Sequence, residues 1–330
     1  MSSRFQAAIT REARSPISIE VLGSGEAFSG QDGNTSFLLL APGNQRLGGA
    51  HKKLSATRER LRATLVDCGY QTPARLFSDP RIFRKISRTK RAPAFSIDQI
   101  VLTHSHADHA FGVVPLLMKY WQEKRTKPLI IIAPRGTRKV IETFFKLSYP
   151  PGISRMQFQI QWIESQPYLP LKSLGWNFEF VKTDHKVLNL GFRAFHDTQP
   201  HFSLAVSGDG ALTAEAVDVF SKADIWFQEV FTLAEIIPGH TTLRQLEQFT
   251  KKLKNLPATA PLATPTKPLS IVCTHPMDEC REMIRRAVDR INLNATKQKR
   301  AITFVSATSE DKAILTKKGF HYVCNPKIKL

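Results

Sequence analysis

The chain has 330 residues, 42% hydrophobic and 23% charged, which suits a globular protein with a sizeable core. No apolar run reaches the roughly 20 residues that cross a bilayer, and Met1–Pro16 lacks the apolar stretch of a secretory signal, so no membrane partner and a cytoplasmic location are expected. Four scattered cysteines exclude a disulfide framework, and 47 Lys and Arg against 28 Asp and Glu, a net +19, point to an anionic partner.

Ile17, Ile19 and Val21 alternate with Ser18 and Glu20, which predicts a half-buried strand over 17–22. A glycine-rich loop (Gly23, Gly25, Gly30) then precedes a strand over 35–40. Residues 41–60 form a polar, basic excursion before a strand over 61–66, which ends at Asp67 and Cys68. The next apolar stretch, Ile100-Val101-Leu102, runs into Thr103-His104-Ser105-His106-Ala107-Asp108-His109. Three imidazoles and a carboxylate at this density are costly to crowd together without a cation or a hydrogen-bond network among them. They are the ligand types that Zn²⁺, Mn²⁺ and Fe²⁺ accept.

Helical spacing of Leu116, Leu117, Tyr120 and Trp121 predicts a helix over 110–121. A buried strand over 129–132 and a helix over 137–147 follow. Strands over 176–181 and 187–195 flank His185, and Phe202–Val206 leads into Ser207-Gly208-Asp209-Gly210. Helices are expected over 213–221, 241–253 and 277–290, with the strand Ile271–Thr274 ending at His275. Pro238-Gly239-His240-Thr241 reads as a turn opening a helix capped by Thr241. Residues 257–268 are a low-complexity, proline-rich surface loop. Alternating strands and helices argue for an α/β fold. The two apolar strands that end in Thr-His, at His104 and His275, suggest two similar halves within one domain spanning 1–330.

His-x-His-x-Asp-His resembles the signature of the metallo-β-lactamase superfamily of metal-dependent hydrolases. Asp67 resembles its bracing strand-end aspartate, His185 its lone ligand histidine, Asp209 its bridging carboxylate and His275 its last ligand. The resemblance implies an αββα sandwich: two mixed β-sheets flanked by helices. It implies that His104, His106 and His185 hold one divalent metal ion and Asp108, His109 and His275 a second, with Asp209 bridging. Zinc is the expected metal, with manganese or iron as alternatives. His196 and His201 compete with His185, but they flank Asp197-Thr198-Gln199-Pro200, a turn-like segment of the kind found exposed.

Ala223–Glu229 followed by Gly239-His240-Thr241-Thr242 resembles the ribonuclease Z branch. There a Glu orients a His that donates a proton to the leaving group, which implies catalytic roles for Glu229 and His240 beside Asp108. Gln228 departs from that branch, where a His precedes the Glu. The branch also carries a long tRNA-gripping arm after the third-motif histidine. About two dozen residues separate His185 from Asp209, enough for two strands and a turn, so the arm is expected to be absent. The implied activity is a ribonuclease Z-like phosphodiesterase with two metals sharing a hydroxide. The alternatives are a lactone, ester or thioester hydrolase on the same site, or a non-catalytic nucleic-acid-binding protein.

The expected partner is a phosphodiester or another anionic substrate, with nucleic acid among the candidates. The basic residues within 46–62, within 75–91 and at Lys124, Arg125, Lys127, Arg135, Arg138 and Lys139 could line the metal rim. A solvated basic surface is the competing reading. The oligomeric state stays open, a homodimer among the states the sequence allows.

Overall fold

The computed structural model describes residues 17–43, 61–78, 97–254, 269–297, 302–309, 311–316 and 319–324. The basic excursion beyond residue 43 and the proline-rich loop lie outside the described residues. In chain order the first part forms strands β1 (Ser18–Gly23), β2 (Ser36–Pro42) and β3 (Leu61–Val66), helix α1 (Thr72–Ser78) and strand β4 (Ile97–Val101). Helices α2 (Ala107–Ala110) and α3 (Val113–Gln122), strand β5 (Leu129–Pro134), helix α4 (Thr137–Ser148) and strand β6 (Ile160–Ser165) follow.

The second part forms strands β7 (Leu171–Ser173), β8 (Trp176–Lys182), β9 (Leu190–His196) and β10 (Gln199–Val206). Helix α5 (Ala214–Phe220), strand β11 (Ile225–Glu229), helix α6 (Leu243–Lys254), strand β12 (Leu269–Thr274), helix α7 (Asp278–Lys297) and strand β13 (Ile302–Ser306) complete it. Strands β14 (Lys312–Thr316) and β15 (Gly319–Val323) return to the first sheet, whose order is β15-β14-β1-β2-β3-β4-β5-β6. The second sheet runs β13-β12-β11-β10-β9-β8-β7. Both sheets are mixed. Strands β3 to β6 and β10 to β13 pair in parallel; β1 to β3 and β8 to β10 pair antiparallel.

The apolar runs are continuous because both faces of each sheet are covered. Along β2, Phe37 and Leu39 point between the sheets and meet Phe180, Phe192 and Phe227, while Leu38 and Leu40 point outward onto Leu116, Tyr120 and Phe145 of the helices. On the other side, Trp226, Ile271 and Cys273 pack against Phe220, Leu246 and Ile284. The layers are therefore helix, sheet, sheet, helix, the expected αββα sandwich. None of the helices among the described residues is long and apolar enough to cross a membrane.

Three departures from the sequence reading have physical causes. The helix expected over 110–121 is broken at Gly112, whose N–H donates to the Cys68 carbonyl at 2.8 Å. A Cβ there would stand 2.0 Å from the Gly69 oxygen, so only glycine allows the approach. The strand expected from 187 begins at Leu190, because Asn189 turns inward to hold the Asp209 loop. The β14–β15 hairpin was not foreseen; it lies antiparallel to β1, and Tyr322 donates to Asp311 at its base.

Candidate metal centre

The parallel halves of the two sheets place their carboxyl ends side by side, where α/β sheets bind ligands. Asp67 follows β3, His104 follows β4, Asp209 follows β10, Glu229 ends β11 and His275 follows β12. Asp67 adopts a left-handed backbone (φ 54°) and turns its carboxylate under the His-rich loop. There it accepts from the Thr103 N–H, the Thr103 hydroxyl and His109 Nδ1, each at 2.8 Å.

Four imidazoles are oriented by the same device. His109 Nδ1–H donates to Asp67. The Thr103 hydroxyl spends its proton on Asp67, so it accepts from His104 Nδ1 at 3.1 Å. The Thr35 hydroxyl donates to the Gly25 carbonyl and accepts from His275 Nδ1 at 3.2 Å. His185 Nδ1 donates to the Gly239 carbonyl at 2.8 Å. With Nδ1 committed outward, each ring turns Nε2 inward, the tautomer control seen around ligating histidines.

The inward atoms converge on Asp209. Its carboxylate lies 3.8 Å from His104 Nε2, 3.2 Å from His109 Nε2 and 3.3 Å from His275 Nε2. Asp108 approaches His109 and His275 at 3.5 and 3.7 Å. His106 Nδ1 lies 3.2 Å from His185 Nε2. Within 4.8 Å, one set of ligand atoms comes from His104, His106, His185 and Asp209, and a second from Asp108, His109, Asp209 and His275. The structure thus brings together all seven residues expected as ligands, in two groups that share Asp209.

This donor set fits divalent cations. His104 Nε2, His109 Nε2 and Asp209 Oδ1 are buried without a hydrogen-bond partner, a costly state that a cation relieves. His109 Nε2 and Asp209 Oδ1 are close enough for an ion pair but not aligned as a hydrogen bond. Burial pushes the pKa of His104 well down and that of His275 to about 4, and it lowers His106, so these rings are neutral and ready to ligate. His109 goes the other way. Burial alone would lower it, but the carboxylates of Asp209, Asp108 and Asp67 hold it well above the imidazole range. A field that strong for a proton is a field for a cation.

Beside the second group, the Glu229 carboxylate accepts from His240 Nδ1, from the Gly210 N–H at 2.8 Å and from the Thr241 N–H at 3.3 Å. Burial and the Asp209 charge push Glu229 up to about 8, while its contact with His240 opposes that shift. Burial lowers His240, but the Glu229 hydrogen bond outweighs it and the net shift is upward. A single proton cannot sit on both. Three donors on the Glu229 oxygens suit a carboxylate, so the proton rests on His240. Gln228 points to the helical side of β11, opposite Glu229, so its departure from the ribonuclease Z pattern leaves the site untouched.

Other expectations need correction. The Asp197–Pro200 segment is half-buried to exposed, but His196 itself is buried at the far end of β9, edge-on to Trp176 and bonded to Thr198. His201 is exposed on β10, and neither residue approaches the cluster. Thr242, not Thr241, opens α6: its N–H donates to Gln245 and its hydroxyl accepts from the Gln245 N–H, while the Thr241 hydroxyl donates to Gly210. Arg125 offers no charge to a substrate, being fully buried, donating to the Ile97, Lys127 and Pro128 carbonyls and stacked on Tyr120. The basic residues of 44–60 and 79–96 lie outside the described residues. The supporting roles of Thr35, Thr183 and Asn189 were missed: the Thr183 hydroxyl donates to the Asp209 carbonyl, and Asn189 bonds both Thr183 and the Asp209 loop. They carry no spacing signal, since they act across the fold. The segment from His185 to Asp209 contains only β9 and β10 and their connections.

Comparison with known proteins finds relatives of the chain. The family model described as "Anti-Pycsar protein Apyc1" matches residues 54–257. The ribonuclease Z of Staphylococcus saprophyticus subsp. saprophyticus is 35% identical over 98 residues, 29% of this chain and 31% of that protein. The chain therefore spans about a third of the length of that curated relative. The metallo-β-lactamase fold protein YhfI from Bacillus subtilis superposes with a TM-score of 0.59 at 20% identity, over 90% of this chain and 98% of that one. Human tRNase Z, short form, superposes with a TM-score of 0.57 at 18% identity, over 89% of this chain and 98% of that one. At these identities the likeness shows the fold, which is the metallo-β-lactamase sandwich.

Proposed function

The chain belongs to the Anti-Pycsar protein Apyc1 family, and from that premise we propose that it is a two-metal, ribonuclease Z-like hydrolase of phosphodiesters. The observation that carries the reading is the pair of ligand groups sharing Asp209, with lone-pair atoms buried and unpartnered. His104, His106 and His185 would hold one cation, Asp108, His109 and His275 the other, and Asp209 both. Zinc suits imidazole and carboxylate ligands, with manganese and iron as alternatives. When bound, two such cations lower the pKa of water toward about 7 and offset charge on phosphoryl oxygens.

The rest of the chemistry belongs to the chain. His240, held by Glu229 and protonated, donates a proton to the departing oxygen. Asp108, at the mouth of the second group, orients the attacking water. A departing alkoxide needs that proton, and the ribonuclease Z relatives favour the phosphodiester over a carboxylic ester. The net charge of +19 favours an anionic substrate, nucleic acid included. The chain works as a single cytoplasmic domain.

Elemental analysis of protein purified without chelator should find about two transition-metal ions per chain. A metal-loaded sample should hydrolyse bis-p-nitrophenyl phosphate faster than a lactone or a thioester. Metal content near zero after incubation with Zn²⁺ or Mn²⁺, or a lactone hydrolysed fastest, would overturn the proposal.

A further inference from the structure

We propose that Phe231 is a positioning residue for the proton donor His240, an inference that rests on the hydrolase reading above. The Phe231 ring lies nearly flat on the His240 imidazole, with centroids 4.2 Å apart and planes at 20°. It is also close to parallel with His275, at 6.1 Å and 30°. The ring therefore meets both the proton donor and a ligand of the second metal position.

Its placement is fixed from both sides. The Phe231 N–H donates to the carbonyl of Thr241, the residue after His240, at 2.9 Å. The Phe231 carbonyl accepts from the N–H of Met277, two residues after His275, at 3.0 Å. Its neighbours extend the stitching: Val230 N–H donates to the Thr274 carbonyl and Leu243 N–H to the Thr232 carbonyl. Phe231 belongs to none of the three hydrophobic cores among the described residues, so core packing does not explain it.

The consequences follow from the stack. Glu229 fixes His240 through one nitrogen, which leaves the ring free to rock about that hydrogen bond. A flat aromatic surface against one face of the imidazole removes that freedom. An imidazolium on an aromatic face gains from the ring quadrupole, and the covered side excludes water from the Glu229–His240 bond. Small errors in the angle of a proton donor carry large losses in rate.

The test separates positioning from general disruption by the leaving group. Phe231→Ala should lower kcat about tenfold on a dinucleotide, whose alkoxide needs the proton, the size of one aromatic contact. On bis-p-nitrophenyl phosphate, whose leaving group needs none, the change should stay within about twofold. KM and metal content should hold, and Phe231→Tyr should restore the rate. In a His240→Ala background, Phe231→Ala should add nothing on the dinucleotide. Equal losses on both substrates, or full additivity with His240→Ala, would overturn the inference. A second arm needs no turnover: ¹⁵N-histidine NMR of the metal-loaded protein should show the Nδ1–H signal of His240 broadened in Phe231→Ala and sharp in Phe231→Tyr. An unchanged signal in Phe231→Ala also overturns it. Absence of any diester hydrolysis by the unaltered protein would sink the phosphodiesterase reading while leaving the NMR arm to decide Phe231.

Discussion

The two sheets build their shares of the centre in different ways. The first sheet supplies four candidate ligands from one loop, His104 to His109, and braces two of them from one carboxylate, Asp67. The second sheet supplies His185, Asp209, Glu229, His240 and His275 from separate connections. Each is held by a different neighbour: His185 by the Gly239 carbonyl, Asp209 by Asn189, Glu229 by the Gly210 N–H, His240 by Glu229, and His275 by Thr35, which precedes β2 of the first sheet. A concentrated brace fails all at once; a dispersed one fails piece by piece. The concentrated half is visible as a motif, whereas the dispersed half is visible only as strand ends.

The largest expected effect lies in the dispersed half. His240→Ala should reduce turnover of an alkoxide-leaving diester by roughly 10²–10⁴-fold, the share of a general acid, with metal content unchanged. Loss of a metal ion instead would make His240 a ligand. The same residue sets a pH dependence. Its pKa is raised, so the protonated donor persists above the usual imidazole range and activity falls as pH rises through that raised value. Glu229→Gln removes the main cause of the rise, so the alkaline limb of kcat should move to lower pH. An alkaline limb that stays in place would separate Glu229 from the donor.

Next come the braces, which test the comparison directly. Asp67→Asn removes the acceptor shared by Thr103 and His109 and should weaken metal retention about 10- to 100-fold, judged by dialysis against a graded chelator. Among the candidate ligands Thr35→Val touches only His275, so it should weaken the second ion alone and by the lower end of that range. Equal losses of both ions in both variants would erase the distinction between the halves. The smallest effect is expected at His196, far from the centre. His196→Gln should cost on the order of 1–3 kcal/mol in denaturant unfolding through its buried contacts with Trp176 and Thr198, with metal content and kcat intact. A change in metal content there would return His196 to the ligand set.

Strand β3 was legible to the residue, because Leu61, Ala63 and Leu65 alternate with Arg62 and Thr64 up to Asp67-Cys68-Gly69. The bounds of α3 were not, because Gly112 breaks the helix to admit the Gly69 backbone, a contact between segments far apart in sequence. The β14–β15 hairpin escaped notice for a similar reason. Its strands are short, and only pairing with β1 makes them a sheet edge. Arg125 read as surface charge because a basic residue carries no mark of burial; three backbone carbonyls and an aromatic face make its burial tolerable.

The sequence by itself determined the chemistry on offer: imidazoles and carboxylates at the ends of apolar runs, ordered as in a known superfamily. Side-chain type and strand periodicity are local properties, and they survive in one dimension. Only the tertiary structure decided which histidine joins the cluster, since His185 and His196 border the same apolar stretch and differ only in that His185 precedes β9 and His196 ends it. It alone set His240 against the Glu229 carboxylate and flat on Phe231. Distance, burial and ring orientation arise only when the two sheets face each other, and those quantities set protonation and reactivity.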